Sequence, residues 1–323
     1  MGAFMTSPRF RIAGLLAAAA IAVAACGNAT VTPTPTHTPT PTPTPVVTPA
    51  PTPTPTPAPT QMIVASLPAD QLVVAGTLTV CSDLTNQPQA FSDASGNPTG
   101  SDIDLANEIA TRLGLRLSVQ NVASAKSLAA LAAKQCDISM SAQAITSTQL
   151  LKVDMIPYFQ SGQTFLVAKG NPGAITWAYS LCKQTIAVTK GTIEASHLAG
   201  VAPYSAARGL IANCQAAHLQ PIVVKTYAKD SDALAALTSG KVIAFFTNSP
   251  IAGYDVLMQP DQLDLIPGLV LDNATEGISV TRYSNEMYSA VRLALQSMID
   301  DGTYVKILTK YGVESGAVTS TNS

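Results

Sequence analysis

Gly76-Thr77-Leu78-Thr79-Val80-Cys81-Ser82-Asp83, then Gly100-Ser101-Asp102-Ile103-Asp104-Leu105, then Leu113-Gly114-Leu115: this stretch decides the fold class of the chain. Leu78 to Cys81 is a short apolar run of strand length. After it, Ile103, Ala106, Ile109, Ala110 and Leu113 recur at helical spacing and define one buried face. Asp102 stands where a helix N-cap is expected, and Gly114 stands where the helix should stop. Leu115 to Val122 then reads as a second strand. Strand, helix, strand in this order is the unit that makes parallel sheets, because a parallel pair needs a crossover and a helix supplies it.

The same rhythm continues downstream. Ser127 to Lys134 reads as a helix and Ile138 to Ser141 as a strand whose end should face a cleft. Beyond Thr164 to Ala168 come strand Thr185 to Val188, a helix from Gly191, strand Ile222 to Tyr227, helix Asp230 to Thr238 and strand Val242 to Phe246. Leu128-Ala129-Ala130-Leu131 before one strand is echoed by Leu234-Ala235-Ala236-Leu237 before another, which suggests two halves built alike. Strand Ile278 to Thr281 and helices from Asn285 to Asp301 and on to Tyr311 finish the body and should return to the first half.

At 323 residues the chain has room for two domains, but its N-terminal region contributes no core. Arg9 and Arg11 precede an apolar run, Ile12 to Ala25, that is too short to cross a bilayer and ends in Val23-Ala24-Ala25-Cys26-Gly27. Residues 1–25 read as a secretion signal resembling that of bacterial lipoproteins, with Cys26 as the lipidated first residue of the mature chain. About a dozen of the 23 prolines alternate with threonine from Thr30 to Thr60, so 26–66 reads as a lipidated N-terminus and a polyproline-like stalk. Residues 314–323 read as a disordered tail. With 18 basic against 20 acidic residues there is no basic stripe for nucleic acid, and no later run is long and apolar enough to span a membrane.

The landmarks at 76–83, 100–105 and 113–115, with Val153-Asp154, Tyr158-Phe159, Ser161-Gly162, Gly191-Thr192, Leu237-Thr238-Ser239-Gly240 and Asp301-Gly302-Thr303-Tyr304, resemble the family 3 solute-binding proteins of ABC importers. The resemblance implies a type II periplasmic-binding-protein-like α/β fold. Its two lobes, each a mostly parallel sheet flanked by helices, would be joined by hinge strands near Thr164 to Ala168 and Leu271 to Glu276. Lobe 1 would hold 67–167 and 272–313, and lobe 2 would hold 168–271. The implied function is capture of a small polar solute, an amino acid or related compound, by a monomer that delivers it to a membrane permease. No cofactor or metal is implied.

Receptors for α-amino acids in this family hold the carboxylate with an arginine ahead of the Val-Asp landmark and the ammonium with an aspartate in lobe 2. Here those positions fall on Gln149 and Asn248, the ligand-packing ring falls on Asn86, and two hydroxyl positions fall on Ala142 and Ala144. Asp83, Ser141, Gln143, Thr192, Glu194 and Glu276 complete the expected ligand-binding set, although Glu194 reads at least as well as ordinary first-turn charge. Neutral amides at both ends of the clamp suggest a solute with little net charge, or one whose charges sit differently from those of a free amino acid. An amino acid held by other groups stays open, as do a dehydratase-like enzyme and a sensory lipoprotein. His197 and His218 belong to no catalytic pattern and read as surface or partly packed, and Trp177 reads as packing. The four cysteines after Cys26 allow three pairings; the two lobes imply Cys81 with Cys136 and Cys182 with Cys214.

Overall fold

The computed structural model describes residues 63–321. The signal segment, Cys26 and the Thr/Pro run as far as residue 62 lie outside the described residues. In chain order the elements are β1 (Thr77–Ser82), β2 (Thr85–Asn86), β3 (Ala90–Ser92), β4 (Pro98–Thr99), α1 (Ser101–Arg112), β5 (Arg116–Asn121), α2 (Ser124–Ala132), β6 (Ile138–Ser139), α3 (Ser147–Leu150) and β7 (Val153–Ala168). There follow β8 (Thr185–Thr189), α4 (Ile193–Ala199), α5 (Leu210–Ala216), β9 (Val223–Tyr227), α6 (Asp230–Thr238), β10 (Ala244–Asn248), α7 (Ser249–Met258), β11 (Leu263–Thr281), α8 (Asn285–Asp300) and α9 (Thr303–Lys310).

Eight strands form one sheet in the order β5-β1-β6-β11-β7-β10-β8-β9. The outer trios, β5-β1-β6 and β10-β8-β9, are parallel, as strand-helix-strand units require. The two long strands between them, β7 and β11, run antiparallel to each other and serve both halves. Met155 to Phe159 pair with the end of β11 that also pairs with β6, whereas Gln163 to Val167 pair with β10. Between these segments the β7–β11 register breaks, from Leu271 opposite Gln163 to Ala274 opposite Ser161, and Gly162 sits at the crossing, where a Cβ would come within 2.5 Å of Asn273 Oδ1 and 2.8 Å of Leu271 O. Thr164 to Ala168, expected as the first crossing strand, therefore lie inside the second half, with Phe165 and Val167 in its core. The switch falls just before them, between Phe159 and Gln163.

Alternation along the strands sets the cores. In the second half Phe165, Val167, Ile186, Val188, Ala244 and Phe246 face one layer, which includes Leu198 of α4 and Leu210 of α5. Leu166, Ala187 and Phe245 face the other, with Ala233, Ala236 and Leu237 of α6. The first half packs Leu105, Ala106 and Ile109 of α1 together with Val291, Ala294, Leu295 and Met298 of α8 against Leu78, Val80 and Ile138. The C-terminal helices thus join the first half, as expected. The alanine-rich helices α2 and α6 are nine residues each and each precedes a strand of its half.

Both expected disulfides are present. Cys81 and Cys136 are 5.7 Å apart between Cα atoms because β1 and β6 are neighbours, and Cys182 and Cys214 are 5.6 Å apart in the second half.

Four expectations are corrected. Helix α1 starts at Ser101 with Gly100 as its N-cap, so Asp102 lies in the first turn and points inward, 1 % exposed. The body begins before residue 67: the Val64 amide donates to Arg112 O at 2.9 Å, and Val64 and Ala65 pack on the first core. Residues 314–321 are folded and not a loose tail, since Ala317 bridges Phe159, the Val318 amide donates to the Tyr304 hydroxyl at 3.0 Å and Thr321 is buried. Trp177 is 57 % exposed and packs no core.

Candidate functional site

Strand ends and the loops after them deliver polar groups to the junction of the two halves. Asp83 follows β1, Ser141 and Gln143 follow β6, Ser161 and Glu276 sit on the crossing strands, and Asn248 ends β10. Together with Thr85, Asn86, Gln89, Ser124 and Ala142 they line a cavity of about 380 Å³. Six expected ligand-binding residues are thus brought to one place: Asp83, Asn86, Ser141, Gln143, Asn248 and Glu276.

Hydrogen bonds prearrange the first-half wall. The Ser124 amide donates to Asp83 Oδ2 at 2.9 Å, and the Thr85 hydroxyl and amide donate to Asp83 Oδ1 at 2.7 and 3.2 Å. Partial burial opposes ionisation of Asp83, but these bonds outweigh it and hold its carboxyl below the ordinary range. The Asp83 amide donates to Ser141 Oγ at 3.1 Å, and the Ser141 and Ser124 hydroxyls are 2.9 Å apart. Gln143 Nε2 donates to Ser124 O and Ser127 Oγ at 2.8 and 2.6 Å, which fixes the loop after β6 against α2.

Glu276 is 3 % exposed and accepts from Gln89 Nε2 at 2.6 Å. Behind it the fully buried Tyr158 hydroxyl lies 3.3 Å from Glu276 Oε2 and 2.9 Å from Asp102 Oδ2, and its single proton serves one carboxylate at a time. Burial, and then the charge of Glu276, push Asp102 up to about 7, and burial raises Glu276 too. Two carboxyls sharing one donor in a dry site favour holding a proton between them. Ala142 is near enough to Asp102 to favour its charged form but not at hydrogen-bond geometry, and Asp102 Oδ1 has no hydrogen-bond partner among the described residues.

On the second-half wall Asn248 caps α7 by accepting from the Ile251 amide at 3.0 Å, so its carbonyl oxygen is engaged and it offers the cavity an amide N–H. Three expected residues are not in this cavity. Gln149 folds onto Thr146, whose hydroxyl donates to Gln149 Oε1 at 3.1 Å, and lines an adjoining cavity of about 520 Å³ with Lys152, Ser124 and Gln143. Thr192 caps α4 by accepting from the Ala195 amide at 3.3 Å. Glu194 is buried in the second half, where desolvation raises its carboxyl, so it is no ordinary exposed first-turn charge. His197 is buried as well, stacked on Tyr204 at 4.1 Å between ring centroids and 2.7 Å from Gln163 Oε1.

Sequence reasoning missed Gln89, Thr85, Ser124, Ser161 and the Asp102–Tyr158 pair behind the floor. One signal was there for Asp102, which falls on the helical face of Ala106, Ile109 and Leu113 and so faces inward.

Two α/β halves that share a sheet through two crossing strands, with a polar cavity at the crossing, define a two-lobed solute-binding protein. The chain belongs to the bacterial extracellular solute-binding proteins, family 3, whose model it matches over residues 78–314. It is 26 % identical over 253 residues to the arginine-binding protein ArgT of Corynebacterium glutamicum, covering 78 % of this chain and 80 % of that one. It is 25 % identical over 237 residues to the L-cystine-binding protein TcyJ of Escherichia coli, covering 73 % and 82 %. Among solved structures it is similar to an ancestral cationic amino acid solute-binding protein, with a TM-score of 0.62 and 28 % identity over 73 % of this chain and 96 % of that one.

Proposed function

We propose that this protein captures a small polar solute between its halves, acting as lobes that close about the crossing near Gly162, and delivers it to an ABC importer. The observation that carries the reading is the cavity lined from both sides of the crossing, by Asp83, Ser141 and Gln143 on one side and Asn248 on the other, with Glu276 between them. A solute touching both walls favours the closed arrangement by the free energy of its contacts to each.

The reading includes export through the segment 1–25, attachment to the outer face of the membrane by lipid on Cys26, a Thr/Pro stalk, and action as a monomer. It is a receptor and not an enzyme. Supporting this, His197 is held by Gln163 and Tyr204 in the second half, and the carboxylates of the cavity are held by hydrogen bonds within the wall. The relatives named above are binding proteins.

The test is a thermal-shift screen of polar metabolites on the purified chain, followed by scattering and by recovery of the bound compound. A ligand at a hundred times its Kd should add about 2.7 kcal/mol of stability. Compaction with the solute recovered unchanged supports the proposal. Chemical conversion of the solute, or binding without any change in shape, refutes it. Loss of membrane association in Cys26→Ala tests the anchor.

A further inference from the structure

Resting on the solute-binding reading, we infer that the ligand is an organic cation without a carboxylate, of diamine type, and not an α-amino acid. The floor of the cleft carries Asp83 and Glu276. A second cavity of about 410 Å³ lies beside it, walled by Thr85, Asn86, Gln87 and Pro88 of the first half and by Asp230, Asp255 and Tyr254 of the second. Thr85 and Asn86 line both cavities, so the two adjoin along that shared wall, and this pair of cavities is the acidic path proposed for the ligand. Along that path there are four carboxylates and, among the described lining residues, no lysine or arginine.

A zwitterionic amino acid entering this path would bring its own carboxylate toward four others. The donors available to it are neutral: the Asn248 amide and serine and threonine hydroxyls. Asp83 is already held ionised by its amide and hydroxyl donors, so an ammonium nearby meets a fixed negative charge. Asp255 is pushed up to about 6, by burial first and then by Asp230, and a cation beside the two would offset their repulsion and favour the ionised form. Acceptors are in surplus as well. Gln143 Oε1, on a residue lining the floor, is buried without a hydrogen-bond partner among the described residues. A site with excess acceptors suits a guest that is all donor, and an alkylammonium has three N–H groups and no acceptor. Two acidic positions along one path suit two such groups.

One cation stands close enough to oppose this. Lys152, exposed, lines the adjoining cavity with Gln149, and that cavity shares Ser124 and Gln143 with the floor. A carboxylate reaching Lys152 would rescue an amino-acid ligand.

Matched pairs that differ only in the carboxylate decide the matter. Calorimetry on the full chain in detergent would compare cadaverine with lysine and agmatine with arginine. The decarboxylated member should bind on the order of tenfold tighter or better in each pair. Asp255→Asn, at the wall and outside the Asp83 hydrogen-bond network, should weaken the amine about tenfold while circular dichroism stays unchanged. Asp83→Asn should do the same if it folds, and Lys152→Ala should leave amine binding intact. Equal or tighter binding of lysine or arginine, above all if Lys152→Ala abolishes it, overturns the inference and leaves the solute-binding reading standing. So does binding confined to uncharged solutes. Absence of binding by every compound of a polar panel overturns both.

Discussion

Replacing Asp102 by asparagine should flatten the dependence of stability on pH between about 4 and 8. In the folded protein burial and Glu276 move the Asp102 carboxyl from 3.8 to about 7. In the unfolded chain it titrates near 3.8. Below about pH 4 both states hold the proton and the group contributes nothing to the dependence. As pH rises toward 7 the unfolded chain gives up the proton while the folded one keeps it, so stability falls, and above about 7 the loss is complete. At about 1.4 kcal/mol for each unit of pKa, the loss across that window is about 3 to 4 kcal/mol, which for a body of this size is a Tm change of roughly 10 °C. Asp102→Asn keeps an oxygen to accept from Tyr158, now 2.9 Å from Oδ2, and removes the titration. Urea or thermal unfolding of the ligand-free protein at half-unit steps from pH 4 to 8 would measure this. Wild type should lose about 3 kcal/mol more than the variant over the range, with a residual slope from Glu276, whose carboxyl burial also raises. Parallel curves for the two proteins would refute the account of Asp102 as a buried acid that keeps its proton.

Three further outcomes are expected. Serine pairs in place of Cys81 with Cys136, or Cys182 with Cys214, should each cost about 4 kcal/mol in unfolding free energy, from closed loops of 55 and 32 residues, and a change below about 1 kcal/mol would show that the loops are constrained without the bonds. Gly253→Ala should lower Tm by several degrees, because a Cβ on this residue of α7 would lie 2.2 Å from Gly312 O beyond α9, and an unchanged Tm would mean the two segments separate freely. Trp177, the single tryptophan, should show red-shifted emission and ready quenching by iodide in the ligand-free protein, whereas blue-shifted, protected emission would contradict its 57 % exposure.

Much of this protein was legible along the chain because the signals are local. Periodicity found β1, α1, β5, α6 and β10 within a few residues, and cysteine placement with the expected lobes gave both disulfides. That the neutral amides Gln149 and Asn248 stand at the two clamp positions implied by the family resemblance is likewise read from the sequence. The crossing in β7 was not legible. An apolar run such as Thr164 to Ala168 has the same pattern in a hinge as in a buried strand, and only the change of neighbour from β11's first-half end to β10 locates the switch.

The floor of the cleft belongs wholly to tertiary structure. Gln89 reaches Glu276 across 187 residues of sequence, and Tyr158 lies 56 from Asp102 and 118 from Glu276. No periodicity encodes such a meeting, which arises because the sheet places β6, β11 and β7 side by side. Even Asp102, expected as a helix cap, lies in the first turn because Gly100, at φ 125°, starts the helix two residues earlier, and only packing brings it to Tyr158. Sequence determined the elements and the chemistry available to the cleft; packing decided which of those groups share a dry space, and burial there sets their charge.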